Sequence, residues 1–441
     1  MKLVIDNIAK IEQAEVEFDG LTVICGRNDT GKSTLGKVLF ATFNALNNMD
    51  QVIADERYRE IRSIAERILI EGNRGDSSAR SKMISSRRMA EEIASRIVQV
   101  IEENEDAGTF ANKDTIEEVL DADVTLAVGE ETRNKLKDEI LKILEFPQTQ
   151  FLRAIVERWY FNVFGGQISQ IDGETDGHIR LVIKSKEINL AFRENQCEDV
   201  TIDIPIIHRA FLVDNPHIID DLPYGYNGYG TVGNAVKSRR IYDPQQFLRY
   251  WLYYGDQETE SIVSEAQTEE KLEEVSRLLE KAIPGETVEL RGRIFLRNES
   301  YKSGLLIENL SMGLKSLYVI KRLLEQNALK PKDVIIFDEP EIHLHPELQI
   351  LYAQILVLLQ RAFDLTMVVT THSHYFLEAI DLYSRMHDRQ EIVHYYLADA
   401  EDNKATFTEV TDHLEDIYEL MADPITLLDN LRMELQNKDE A

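Results

Sequence analysis

The chain has 441 residues, 43% of them hydrophobic and 29% charged, which excludes a disordered protein. A formal net charge of −30 excludes a protein that grips nucleic acid over its whole surface, so any such contact needs a local basic patch. Two cysteines, Cys25 and Cys197, far apart, exclude a disulfide framework or a zinc cluster. The length implies two or three domains. The apolar runs are short: Leu351 to Leu359 is among the longest, about half of a membrane span. The N-terminus carries Asp6 and no small-residue cleavage site, so no signal peptide and no membrane partner are expected, and the expected location is the cytoplasm.

In chain order, Leu3-Val4-Ile5 is an apolar strand, and Ala14 to Phe18 alternates apolar with acidic residues, the period of a half-buried strand. Asp19-Gly20 is a turn signal. Leu21 to Cys25 is an apolar, β-branched run that predicts a buried strand. Gly26-Arg27-Asn28-Asp29-Thr30-Gly31-Lys32-Ser33-Thr34 follows, with Gly26, Gly31, Lys32 and Ser33 at the spacing of a phosphate-binding loop. Leu35, Val38, Leu39, Thr42, Phe43 and Leu46 then recur at helical spacing, so a helix is predicted over 32–48. Such a loop turns backbone N–H groups toward phosphates at the positive end of a helix. Lys32 would reach the phosphates, and the Ser33 hydroxyl would hold Mg²⁺.

Residues 51–160 predict a compact helical insertion. Ile61, Ile64, Ala65 and Ile68 share one face; Met89, Ile93, Ile97 and Val100 share another; Leu136, Ile140, Leu141 and Leu144 a third. Breaks at Gly72–Gly75, Glu105–Gly108 and Pro147 leave no continuous heptad pattern, so no coiled-coil arm is expected. Arg80, Lys82, Arg87 and Arg88 form the best basic cluster, either a solvated helix start or a binding patch. Residues 161–284 read as a β-rich and helical segment completing the core, with strands at Ile179–Ile183 and Ile202–Ile207. Within it, 222–240 is a loop rich in Gly and Tyr, with Lys237 to Arg240 its basic run. An acidic amphipathic helix is predicted from Glu258 to Ala282, then a hairpin from Val288–Leu290 and Arg293–Leu296.

Leu310-Ser311-Met312-Gly313 opens a helix, with Ser311 a good N-cap and Gly313 allowing close approach. Asp333 to Phe337 is a buried strand ending in Asp338-Glu339. Asp338 is placed for the Mg²⁺ shell, and Glu339 can polarise an attacking water. Thr366 to Thr371 is a second buried strand, ending at His372, whose imidazole can bond a terminal phosphate. His343, His345, His372 and His374 suggest a metal site, but no cysteine or carboxylate cluster has zinc spacing. The tail, 401–441, reads as acidic and helical, with a break at Pro424.

This set, in this order, resembles the ABC-type ATPases: Walker A at Gly26–Thr34, the signature Leu310–Gly313, Walker B at Val334–Glu339 and the switch His372. The stretch Asp338-Glu339-Pro340-Glu341-Ile342-His343-Leu344-His345-Pro346-Glu347 looks like the OLD/RecF/SMC-like branch, not the transporters, which usually carry a Gln after the signature glycines and a Ser-Ala-Leu-Asp segment after Walker B. The resemblance implies an α/β fold, an ABC-type P-loop ATPase head of mixed sheet and flanking helices, with its core in 1–50 and 285–400. It implies ATP and Mg²⁺ as cofactors, and a homodimer or higher even-numbered homo-oligomer in which Ser311 and Gly313 reach the partner's nucleotide. Gln51 is the nearest candidate for the Q-loop. No fused nuclease is legible after His374. ATPases of this branch without one resemble the sensor or regulator subunits of anti-phage systems such as Septu and PARIS, which hold a separate nuclease or toxin effector. The alternatives are a DNA-repair or chromosome-associated ATPase that clamps DNA directly, and a transporter ATP-binding subunit. The charge and the missing transporter motifs weigh against them.

Overall fold

A computed structural model describes residues 1–72, 79–106, 129–170, 176–224, 241–256, 262–401 and 404–439. The chain divides into two compact units, residues 48–155 and the remainder.

The larger unit is built on an eleven-stranded mixed sheet. Its first strands are β1 (Lys2–Ile8), β2 (Ile11–Glu17) and β3 (Leu21–Gly26), followed by helix α1 (Lys32–Leu46). Ala14 and Val16 are buried and Glu15 and Glu17 exposed, as the alternation in β2 predicts. The helices α2 (Met49–Gly72), α3 (Ala79–Asp106), α4 (Glu130–Leu144) and α5 (Gln148–Phe164) come next. The strands β4 (Gly177–Ile183), β5 (Lys186–Arg193), β6 (Gln196–Ile202) and β7 (Ala210–Val213) return to the sheet. After α6 (Pro244–Tyr254) and α7 (Ile262–Ala282), β8 (Glu286–Leu290), β9 (Arg293–Arg297) and β10 (Leu305–Leu306) form a separate antiparallel sheet. The β8–β9 hairpin turns at Arg291 and Gly292, both with positive φ (54° and 72°), which matches the twist of a two-residue hairpin loop. The chain then runs through α8 (Met312–Glu325), β11 (Val334–Asp338), α9 (Pro346–Phe363), β12 (Thr366–Thr371), α10 (His374–Met386), β13 (Val393–Glu401), β14 (Lys404–Glu409) and α11 (Leu414–Asp439).

The order across the large sheet is β6-β5-β4-β1-β2-β14-β13-β3-β12-β11-β7. The five strands from β13 to β7 are parallel, and β1, β2, β4, β5 and β6 form antiparallel pairs at the other end. This is the mixed sheet with flanking helices that the motifs imply. Parity decides its two faces. Val23, Cys25, Ile335, Phe337, Met367 and Val369 pack into one large core with Leu317, Tyr318, Leu356 and Phe376 from α8, α9 and α10. Burying a side chain of this size contributes about 1.5–3 kcal/mol. Alternate residues face α1, where a Cβ added to Gly36 would lie 2.9 Å from Ile336 Cγ2. On the edge strand, Asn44 of α1 donates to Ala210 O at 2.8 Å and accepts from Ala210 N at 3.2 Å, tying the helix to β7.

The tail departs from the expected helix in two ways. Residues 404–409 form β14, which pairs antiparallel with β13 and parallel with β2, joining the parallel and antiparallel parts of the sheet. The segment is too short and polar to announce itself, and its strand form comes from pairing on both sides. Helix α11 also continues through Pro424 without a break, since proline removes one helical hydrogen bond but need not end the helix.

The unit at 48–155 contains α2, α3, α4 and the start of α5. Ile61, Ala65, Ile68, Ile93, Ile97, Leu136 and Ile140 form its core, so the three sequence-read faces meet. In the basic cluster, Arg87 donates to Glu66 Oε1 at 2.7 Å, and Arg88 lies 3.4 Å from Glu92 Oε1. The side chains of Arg80 and Lys82 lie outside the described residues, as do Tyr226, Tyr229 and Lys237–Arg240 of the Gly/Tyr-rich stretch.

Candidate active site

The parallel strands bring their carboxyl ends to one edge. Asp338 pairs with Thr370, and Thr371 with Cys25, so β3, β12 and β11 end in register. This edge is where an α/β sheet binds its ligand.

The chain leaves β3 at Gly26 and winds through Arg27, Asn28, Asp29 and Thr30 into α1. Gly26 has no room for a side chain: a Cβ would stand 2.2 Å from Ala398 O. Gly26→Ala is therefore expected to destabilise the fold by about 1–3 kcal/mol and to distort the loop. A melting curve paired with a nucleotide titration checks this; wild-type values for both would contradict it. Gly31 caps α1 in the left-handed conformation (φ 81°) and offers no side-chain cap. The first intrahelical bond runs from Leu35 N to Gly31 O, so the N–H groups of Lys32, Ser33 and Thr34 are those that helix geometry leaves for a ligand. Thr30 Oγ1 donates to Arg27 O at 2.9 Å and closes the loop. Lys10 pairs with Asp29 at its rim. Arg27, Asn28, Asp29 and Ser33 are exposed.

Lys32 is 4% exposed, and its ammonium donates to Gly26 O at 3.0 Å and Arg27 O at 2.7 Å. Burial lowers its pKa, against the pull of the Glu339 and Asp338 charges. Both carboxylate charges thus act on the ammonium. Thr370 organises them. Its hydroxyl donates to Asp338 Oδ1 at 2.6 Å, and its Oγ1 and carbonyl oxygen accept from Glu339 N at 2.9 and 3.2 Å. Held there, Glu339 takes a left-handed backbone (φ 50°), a conformation that costs a non-glycine residue about 1–2 kcal/mol. The turn brings Glu339 Oε1 within 2.7 Å of His372 Nε2. Burial and the Lys32 charge lower the His372 pKa, with Glu339 opposing them, so the neutral imidazole is the form held near pH 7.

Phosphate loop, Asp338, Glu339 and His372 therefore share one edge. Ser311 and Gly313 do not join them. Ser311 caps α8, accepting from Leu314 N at 3.5 Å, and is exposed. Gly313 packs on the turn after β11, where a Cβ would meet His343 O at 2.8 Å. Gln51 lies in α2, within the 48–155 unit.

Sequence reading missed three residues here. Thr370 looks like one more β-branched strand residue until its hydroxyl is seen at the sheet edge. Asp214 follows β7, and its carboxyl is pushed up by surrounding protein and by the Asp338 charge, although the residue itself opens to solvent at the cleft mouth. An acid directly after an apolar strand was its only signal. Glu341 is 3% exposed behind the switch, where an acidic residue in a turn would be expected in water.

The donor set suits Mg²⁺ brought with a nucleotide. Among the described residues, no group of three or more His, Cys, Asp or Glu could hold a metal alone. Mg²⁺ is commonly held by one or two protein oxygens plus phosphate oxygens, a role open to Asp338 and Ser33.

Residues 217–378 match a family described as "AAA domain, putative AbiEii toxin, Type IV TA system", and residues 2–196 match one described as "AAA domain". No curated protein matches the chain. Among solved structures, the SMC head domain from Thermotoga maritima is similar at 11% identity, covering 93% of this chain and 98% of that one, with a TM-score of 0.38. An Smc head with an extended coiled coil, bound to the C-terminal domain of ScpA and derived from Pyrococcus furiosus, has 13% identity, 98% coverage of both chains and a TM-score of 0.39. An ATP-binding cassette of an ABC transporter in its ADP conformation has 12% identity, covers 98% of this chain and 99% of that one, and has a TM-score of 0.32. Among the described residues, no helix is long and apolar enough to cross a membrane. The AAA-domain matches at 2–196 and 217–378 support an ATPase of the AAA-domain kind.

Proposed function

We propose that this chain binds and hydrolyses ATP, and that the nucleotide governs its assembly with itself and with a separate effector subunit. The observation that carries the reading is the 2.7 Å contact between Glu339 and His372 at the sheet edge where the loop holding the buried Lys32 also begins. When bound, MgATP supplies a γ-phosphorus open to attack by water. Lys32 and the N–H groups opening α1 would hold the phosphates, and Ser33 and Asp338 would hold the metal. Glu339, oriented by Thr370 and His372, takes the proton of the attacking water. His372 keeps the Glu339 side chain at that place and reports through α10.

Ser311 caps α8 and Gly313 packs on the turn at His343, so neither is held by the phosphate loop. They are assigned to the nucleotide of a second copy, which makes the active form an even-numbered homo-oligomer. The partner of that oligomer is an effector protein, a nuclease or toxin, and the setting is anti-phage defence in the cytoplasm. The net charge of −30 favours a protein partner over DNA. The ion pairs of Arg87 and Arg88 with glutamates further weaken the case for a DNA-gripping patch. Phosphate release with Mg²⁺ and ATP, measured with and without EDTA, tests the enzyme. Hydrolysis should require the metal and fail in Asp338→Asn by about 100-fold; metal-independent release at an unchanged rate would remove Asp338 from its role.

A further inference from the structure

Glu341 lies three residues beyond the end of β11 and is 3% exposed. A carboxylate buried this deeply is costly unless hydrogen bonded. Its Oε1 accepts from the Thr371 hydroxyl and from the backbone N–H of His372 at 2.9 Å. Thr371 Oγ1 in turn accepts from Ser373 N at 3.0 Å. Gln349 of α9 joins from another side: its amide donates to Leu344 O at 3.0 Å and accepts from the Ser373 hydroxyl. One network thus ties the turn after β11, the first turn of α9 and the first turn of α10. Gly313 packs directly on that turn through His343 O. The other carboxylate oxygen, Oε2, is buried with no partner, and so is the phenol of Tyr352. Burial, and after it the Glu341 charge, raises the Tyr352 pKa.

We propose that Glu341 is a positioning residue: through the N–H of His372 it fixes the switch histidine, and through His372 it fixes Glu339. This rests on the ATPase reading, and it adds a link that the Walker motifs lack. The turn that carries Glu341 also touches the signature helix α8, so a push on Gly313 from a second copy reaches His372 through one buried carboxylate. A hydrophobic residue would fill the same space at less desolvation cost. What the carboxylate supplies instead is an acceptor for the His372 amide.

The test compares wild type, Glu341→Ala and Glu341→Gln by amide hydrogen exchange at 371–373, by ATP affinity and by hydrolysis rate. In Glu341→Ala, exchange at His372 is expected to rise at least about 10-fold, because the acceptor is gone. The hydrolysis rate should fall about 10–100-fold, as when a residue supporting a catalytic ligand is lost. ATP affinity should stay within about threefold, since Lys32 and the loop are untouched. Glu341→Gln keeps a carbonyl acceptor without the charge and should restore exchange and rate. Unchanged His372 exchange in Glu341→Ala would overturn the proposal, and so would a Glu341→Gln variant as damaged as Glu341→Ala. Should Glu341→Ala fail to fold, Glu341→Leu fills the site without an acceptor and takes its place. The exchange readout needs no turnover, so it decides the clamp even if titration of the wild-type protein shows that the chain does not bind ATP.

Discussion

Lys32→Ala is expected to lower ATP affinity by at least about 100-fold, which corresponds to about 3 kcal/mol of charge-assisted hydrogen bonding to phosphate. The ammonium is the cation that the fold places inside the loop, with only 4% exposure and two backbone carbonyls holding it there. Keeping a cation in that position costs desolvation, seen in its lowered pKa, and a phosphate would repay that cost. Alanine also removes the Lys32 hydrogen bonds to Gly26 O and Arg27 O, of which Arg27 O keeps the Thr30 hydroxyl, so a small loss of stability should accompany the loss of binding. Equilibrium titration with a fluorescent ATP analogue checks the prediction. Wild-type affinity in a folded Lys32→Ala protein would refute the assignment of the phosphate loop.

Glu339→Gln should separate binding from chemistry. The amide keeps the size of the side chain and can still accept from His372 Nε2, so the cleft and its nucleotide affinity are preserved. It cannot take a proton, and the hydrolysis rate should fall by about 100- to 10,000-fold, the usual contribution of a positioned general base. Single-turnover hydrolysis beside an equilibrium titration reads the two effects apart. Turnover at the wild-type rate would show that another group is the base. Asp214, at the neighbouring strand end with a raised carboxyl pKa, would then be the next residue to change.

The parts of this site legible in the sequence were those written in local patterns. Apolar, β-branched runs marked β3, β11 and β12, and each ends in the polar residues that form the edge. Gly26 and Gly31 announced the loop because no other residue meets its steric demands; at Gly26 any side chain would begin 2.2 Å from Ala398 O. What stayed hidden depends on pairing across the chain. β14 becomes a strand because β13 and β2 flank it. Glu339 reaches His372 only through a left-handed backbone held by Thr370, thirty-one residues away. Glu341 is one more acid in the stretch after β11 by sequence, and it is buried against His372. Local composition cannot report such long-range contacts, and at functional sites the local rules are the ones most often broken.

The assembly proposed for this chain turns on nucleotide joining its copies, with Ser311 and Gly313 of one serving the ATP of another. Native mass spectrometry of Glu339→Gln, with MgATP and without nucleotide, on protein taken from its own host, decides this. The expected species is an even-numbered oligomer that retains ATP and carries a stoichiometric partner protein, and that dissociates when nucleotide is removed. A monomer in both conditions would contradict it.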